Sequence, residues 1–382
     1  MKAVRQLRAS LLMLGLLSGC TNMPDIQNMA YVTTLGVDYV NDRWVSYAQI
    51  HNFTSLARTE QLEIGKAVPV WVGRGEGDTL TMALANTSTT SQMRLFWGHV
   101  HAVVLSERAL RQDLAEVYAA INRYREVRYN VLVYGTKRKL TDILIQKSLL
   151  NLPPLDSIMF TATQTNSPRS FILPSTGNRI IANLNEPGAP GFIPSIDIEP
   201  GDWSEDKKSR PMFKISGAYF FQNNKMRAWM SEEDLRGMRW AMKDLQETPV
   251  RIPGGDSTDA VLMFSRPKLS ITPIVKGREV YYDLRVRADG YVIELLEDVP
   301  LPRLKSETAG VIQSEIETTY RKAVAAKCDP FNLQEALYRK YPHTFRRLFE
   351  KQDFILKPDS LRNIQVEVQI TGLGKYKGRV VK

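Results

Sequence analysis

Phe96-Trp-Gly-His-Val-His-Ala-Val-Val-Leu105, followed by Ser106 and by Leu110, Leu114, Val117, Ile121 and Tyr124, is the stretch that decides the fold. The first run is strongly apolar and short, which predicts a buried strand. Ser106 offers a helix-capping hydroxyl, and apolar residues recurring three and four apart predict one amphipathic helix over Glu107 to Glu126. Tyr129 to Tyr134 is again strand-like. Strand, helix, strand at this spacing predicts a βαβ crossover with parallel strands.

Working upstream, Tyr31 to Asp38 and Trp44 to His51 are β-rich runs joined by Asn41-Asp42, a hairpin signal, and Val68 to Val72 adds a short strand. Asp78 is placed to cap a helix reaching about Gln92, and a further helix is expected from about Lys139 to Gln146. Downstream, Pro187, Gly188, Pro190, Gly191, Pro194, Pro200 and Gly201 mark Asn185 to Asp202 as a linker. Met212 to Phe221 and Lys225 to Met230 flank Asn223-Asn224 as a hairpin, and Ser231 with Asp234 opens a helix to about Gln246. Arg251 to Asp256 reads as a second break. Strands are then expected at Val261 to Val275, Glu279 to Arg287 and Val292 to Leu296. Leu304, Thr308, Ile312, Ile316, Tyr320 and Val324 line one face of a long helix. Pro342 divides the next helical stretch into Asn332 to Tyr341 and His343 to Lys351, and Leu361 to Thr371 alternates as a final strand.

The N-terminus carries an address. Lys2, Arg5 and Arg8 precede an apolar core from Ala9 to Leu17, and Leu17-Ser18-Gly19-Cys20 then forms a lipobox. Small residues fit a narrow peptidase site, and the Cys20 thiol is the nucleophile that takes a diacylglyceryl group. The expected organisation is α+β: a lipoprotein signal peptide (1–19), a lipidated cysteine and tether (20–29), and three mixed α/β domains at 30–200, 201–255 and 256–382. Acyl chains at Cys20 anchor the chain stably on a membrane without crossing it. The formal charge is +10, so loss of Lys2, Arg5 and Arg8 leaves +10 − 3 = +7 on the mature chain. Beside a bilayer, such a surface meets anionic headgroups or an acidic partner, or, because its basic residues are spread without a long run, is a solvated surface; nucleic acid is not an expected partner.

Catalytic constellations are not evident. Cys328 has no intrachain partner once Cys20 is acylated and reads as a small buried apolar residue. His99 and His101, two apart on the expected strand, face one side, but no third ligand is spaced to join them, so no metal site and no cofactor are assigned. Gly73, Gly75 and Gly77 lack the lysine and hydroxyl of a phosphate loop and read as a tight strand-to-helix turn. Asp197, Glu199, Asp202, Glu205 and Asp206 read as a solvated loop, and neither Gly-x-Ser-x-Gly nor HExxH occurs.

Several of these segments, in their order, resemble the Ger(x)C family of spore germination lipoproteins. The resemblance is carried by the lipobox, Tyr31-Val-Thr-Thr-Leu-Gly-Val-Asp38, Gly75-Glu-Gly77, Leu95 to Glu107, Gln313 to Lys327 with Asp329-Pro330-Phe331, Arg339-Lys-Tyr-Pro342 and Thr371-Gly-Leu373. Thr21-Asn22 departs from the Trp-Asp pair common in the family, and Phe345 stands where Trp is common. The resemblance implies a three-domain α+β fold with no established enzymatic activity. It further implies a C subunit of a spore germinant receptor, lipid-anchored on the outer face of the spore inner membrane. Such a subunit works with integral membrane A and B subunits in nutrient-triggered germination. The alternatives are an extracytoplasmic solute-binding lipoprotein, whose domains should enclose a cleft, and, last, a cell-wall-acting enzyme.

Overall fold

The structure, a computed structural model, describes residues 29–51, 69–124, 126–149, 157–160, 170–189, 191–254, 257–297 and 299–372. The lipobox and tether lie outside them. Met29–Val40 (β1) and Arg43–His51 (β2) form the first hairpin, turning on Asn41 and Asp42 at φ 51° and 60°, a left-handed region that Asn and Asp tolerate. β2 continues antiparallel into Val70–Gly77 (β3). Arg94–Phe96 (β4) runs parallel to the start of β1. Ala102–Ser106 (β5) then pairs parallel with the rest of β1, and Leu132–Thr136 (β6) pairs parallel with β5, so the crossover is present as expected.

Ser175–Thr176 (β7) pairs with β6, and Gly191–Glu199 (β8) adds to its far side. Beyond a small hairpin of Ser204–Glu205 (β9) and Lys208–Ser209 (β10), Met212–Gln222 (β11) and Lys225–Ser231 (β12) complete the sheet. The order is β12-β11-β8-β6-β5-β1-β2-β3, a parallel centre with antiparallel hairpins at both edges. The stretch expected as a linker, Asn185 to Asp202, therefore carries a strand, β8, paired with β11 from Met212–Glu199 to Phe221–Gly191. Its prolines and glycines signal turns, but Ile193 and Ile196 are buried in cores on opposite faces of the sheet, and that burial decides the conformation.

Both faces of the centre are covered, which is why β5 is buried at every position. Val103 and Leu105 face Leu80–Thr87 (α1), Glu107–Leu110 (α2), Leu114–Asn122 (α3) and Gly177–Asn185 (α5), whereas Ala102 and Val104 share the opposite core with Leu140–Ile145 (α4). Some local expectations are corrected. Trp97–His99 forms a single 3₁₀ turn, so the apolar run from Phe96 to Leu105 is not one strand. The helix expected from Glu107 to Glu126 is two, because the Asp113 carboxylate accepts the Ala115 and Glu116 N–H groups and starts a new one. Asp78 faces Arg43 across 3.4 Å, and Thr79 caps α1 instead, its hydroxyl accepting the Met82 N–H at 3.2 Å.

A second sheet, Thr248–Gly254 (β13), Ser257–Lys276 (β14), Glu279–Leu295 (β15) and Leu361–Gly372 (β16), follows in that order. The break expected at Arg251 to Asp256 is strand β13 as far as Gly254, because it pairs antiparallel with β14. β15 is continuous where two strands were expected. Its Val280, Tyr282, Leu284, Val286 and Ala288 point inward while Glu279, Arg285 and Arg287 point to solvent, the period-two pattern of a one-faced sheet. The inner face receives Leu301–Ala325 (α6) through Leu304, Ile312, Ile316 and Tyr320, then Leu333–Lys340 (α7) and Pro342–Phe349 (α8), divided at Pro342 as expected. β16 returns parallel to β15, so these helices form the crossover.

Candidate functional site

The residues singled out from sequence do not assemble into one centre. Cys20 lies outside the described residues. His99 sits in the 3₁₀ turn with its ring edge-on to Tyr31 at 5.0 Å, and His101 follows in an extended connector with Nδ1 2.6 Å from the His99 carbonyl oxygen. Burial, then the charges of His101 and Arg128, push the His99 imidazole below its ordinary pKa. The adjoining turn is held by Glu126, which accepts the Trp97 N–H and the Arg94 guanidinium, both at 2.9 Å. Among the described residues no three His, Cys, Asp or Glu side chains gather as a metal set.

Gly75 and Gly77 lie in β3 rather than in a turn, and serve close packing. A Cβ at Gly75 would sit 2.3 Å from the Ala83 carbonyl oxygen, and one at Gly77 2.5 Å from the Ala83 nitrogen, so α1 rests directly on the strand. Of the acidic group, Asp197 pairs with Arg138 at 2.6 Å, Glu199 with Lys214 at 2.5 Å, and Glu205 with Arg210. They are partners in surface ion pairs.

The densest polar construction is the junction between the two sheets, which no motif announced. Ser231 accepts the Asp234 N–H at 3.0 Å as expected, but the helix expected after it is a turn and a 3₁₀ segment, Arg236–Ala241, because it lies backbone-to-backbone on α6. A Cβ at Gly237 would be 2.4 Å from the Glu315 carbonyl oxygen. The Gly237 N–H donates to Thr319 Oγ1 at 2.9 Å, and that hydroxyl donates to the Asp234 carbonyl at 2.8 Å. Arg239, 7% exposed, forks onto Glu315 at 2.5 and 3.0 Å and gives its remaining nitrogen to Thr248 Oγ1 and the Pro249 carbonyl. Trp240 Nε1 donates to the same Glu315 at 2.8 Å. Every charge in this knot is met, which a buried pair requires.

A second contact lies where α6 ends. Ala323 and Cys328 pack into the same core as Phe220 and Met230 of the first sheet. Asp329, wholly buried, accepts the Leu333 and Gln334 N–H groups at 3.0 and 2.8 Å and so starts α7. Burial pushes its carboxyl up to about 6, against the lowering by those N–H groups. Burial likewise pushes the Cys328 thiol up to about 12, so it is protonated and a poor nucleophile. Gln222 and Arg227 donate to Asp353, beyond α8. A cavity of about 260 Å³ lies between these parts. Phe220 and Phe221 of the first sheet and Phe345 and Phe349 of α8 line it beside the neutral Cys328 thiol, so it lies between the two sheets.

Known proteins share this plan. Residues 22–198 match the family model described as the spore germination protein N-terminal domain, and residues 216–374 match the one described as spore germination B3/GerAC like, C-terminal. Spore germination protein KC of Bacillus subtilis (strain 168) is 24% identical over 377 residues, covering 94% of this chain and 93% of that protein. Spore germination protein YndF of the same organism is 22% identical over 318 residues, 79% of this chain and 74% of that one. A crystal structure of the GerBC protein superimposes with a TM-score of 0.53 at 14% identity, covering 88% of this chain and 96% of that one, which shows a shared fold. With two spore germination models in tandem along its length and that multidomain α+β fold, the chain belongs to the GerAC-like family of spore germination proteins.

Proposed function

We propose that this chain acts in nutrient-triggered spore germination as the non-enzymatic C subunit of a germinant receptor, anchored by a lipid on Cys20 and docked on integral membrane A and B subunits. The observation that carries this reading is the pair of spore germination models in tandem, with a curated relative aligned nearly end to end. Among the described residues no helix is long and apolar enough to cross a membrane, so attachment in this reading depends on the lipobox Leu17-Ser18-Gly19-Cys20. Its place is the outer face of the cytoplasmic (spore inner) membrane. The Arg239–Glu315 knot on the segment that joins the two sheets, with each of its donors met, supports a subunit that holds its two sheets in a fixed relation.

The test is a pull-down of the tagged chain from spore membranes, with mass spectrometry of the N-terminal peptide and of co-purifying proteins. An acylated Cys20 and two multi-span partners are expected, and Cys20→Ala should move the chain to the soluble fraction. A chain that purifies alone from intact spores, or whose Cys20→Ala variant still needs detergent for release, overturns the partner or the anchor respectively.

A further inference from the structure

We infer that the end of the first sheet at which β1 begins rests on an anionic lipid surface, with Trp71 and Tyr129 seated at headgroup level and the arginines around them meeting lipid phosphates. The strand registers bring these residues to one end. Met29 opens β1 opposite Arg94 of β4, with Met93 one residue beyond. Ile50 of β2 stands between Val32 of β1 and Trp71 of β3. β6 runs parallel to β1 through β5, so Tyr129, three residues before Leu132, lies at that end as well. The Asn178 N–H of α5 donates to the Tyr129 carbonyl at 3.2 Å, which brings Arg179 beside it. Glu126 ties the turn before Tyr129 to β4 through Arg94 at 2.9 Å.

The chemistry of this end is interfacial. Trp71 is 70% exposed, Tyr129 66% and Met93 42%, and Arg94, Arg123, Arg128 and Arg179 are exposed on the same segments. Trp and Tyr join an apolar ring to one polar atom and concentrate where a bilayer meets water. Arginines beside them are drawn to anionic headgroups. The connectivity favours lipid over a protein partner here. Met29 stands nine residues after Cys20, so this end lies within about 30 Å of an anchored cysteine whatever path the tether takes. β1 is 12 residues long, and its other end, at Val40, lies roughly 35 Å farther along the strand. Trp203, also exposed, follows β8 at that far end, where Glu205 and Arg210 pair. The placement rests on the lipid anchor proposed at Cys20: the acyl chains hold the protein on the membrane, and this face sets which way up it sits.

The experiment is flotation of the mature chain carrying Cys20→Ala with vesicles of mixed phosphatidylglycerol and phosphatidylcholine, and with phosphatidylcholine alone. It is run at about 0.05 M salt and at about 1 M, where the screening length falls to about 3 Å. Binding is expected on the phosphatidylglycerol vesicles at low salt and not at high salt. Arg128→Gln should weaken it about fivefold, the contribution of one basic residue at such a surface. Trp71→Ser combined with Tyr129→Ser should weaken it at least as much, whereas Trp203→Ser should change nothing. These side chains are exposed, so the variants leave the cores intact. Binding that does not depend on phosphatidylglycerol, that the Arg128 and aromatic variants leave unchanged, or that Trp203→Ser weakens equally overturns the inference. So does a photo-crosslinker in place of Tyr129 that captures protein rather than lipid in spores, an outcome that assigns the face to a partner chain. Because the floated chain carries no acyl group, failure here is distinct from failure of the anchor at Cys20.

Discussion

Asp38, near the end of β1, accepts the Tyr39 N–H at 2.8 Å, the Nε and one terminal nitrogen of Arg108 at 3.1 and 2.6 Å, and the Ser106 hydroxyl, which in turn caps α2 by accepting the Ala109 N–H. Burial alone would raise its pKa, but these donors together hold the carboxyl below its ordinary 3.8. Its stabilising contribution is therefore present above that ordinary value and is lost as pH falls through the lower folded one. Asp38→Asn should cost about 1–3 kcal/mol in urea unfolding at pH 7, and the gap to wild type should close as the titration is carried below pH 3.8. Asp329 has the opposite sign. Its carboxyl is pushed up from 3.8 to about 6, so its contribution is full below 3.8 and disappears as pH rises through about 6. The shift corresponds to about 3 kcal/mol at about 1.4 kcal/mol per pH unit. The stability of wild type relative to Asp329→Asn should thus narrow between pH 4 and 6; a pH-independent difference would refute this. Neither the cap that Asp329 makes nor its burial was read from the sequence, where it stands only as part of Asp329-Pro330-Phe331, because both depend on what packs around it.

At the scale of elements, Gly73, Gly75 and Gly77 show how a sequence pattern can be seen and its cause misassigned. Their spacing of two is a strand period that places all three on one face, and that face lies under α1. Gly75→Ala and Gly77→Ala should each destabilise by about 1–3 kcal/mol or more in denaturant unfolding, since the added Cβ meets backbone that cannot step aside. Gly73→Ala meets only the Thr87 methyl group at 3.3 Å and should change stability by less than about 1 kcal/mol. Equal effects at all three positions would contradict the packing account. The hairpins at Asn41-Asp42 and Asn223-Asn224, the division at Pro342 and the long α6 were readable because each depends on local backbone preference or on one apolar face. The separation of α2 from α3 at Asp113 was not, because the apolar spacing runs on across it.

Over the whole molecule, the joint between sheets rests on buried Arg239 and largely buried Glu315, charges that satisfy each other and anchor Trp240. Removing one partner of such a pair leaves the other uncompensated, so Glu315→Ala should cost about 3–5 kcal/mol. Loss of the joint should also let the two sheets unfold separately, seen as non-coincident transitions by intrinsic fluorescence and far-UV circular dichroism. A single transition with a cost below about 1 kcal/mol would show that the pair does not hold the units together.

The sequence by itself determined the α+β class, the parallel crossover around β5, the hairpins at Asn41-Asp42 and Asn223-Asn224, the helices and final strand that follow β15, and the family. These follow from apolar periodicity, turn residues and the order of motifs, all local along the chain. Only the tertiary structure decided that Gly191–Glu199 is a strand of the first sheet, that the Arg236–Ala241 segment lies flat on α6, and that Arg227, Glu186 and Lys327 border one cavity. Those outcomes depend on which distant surfaces exclude water from one another and which buried charges find partners, and neither is written in the spacing of neighbouring residues.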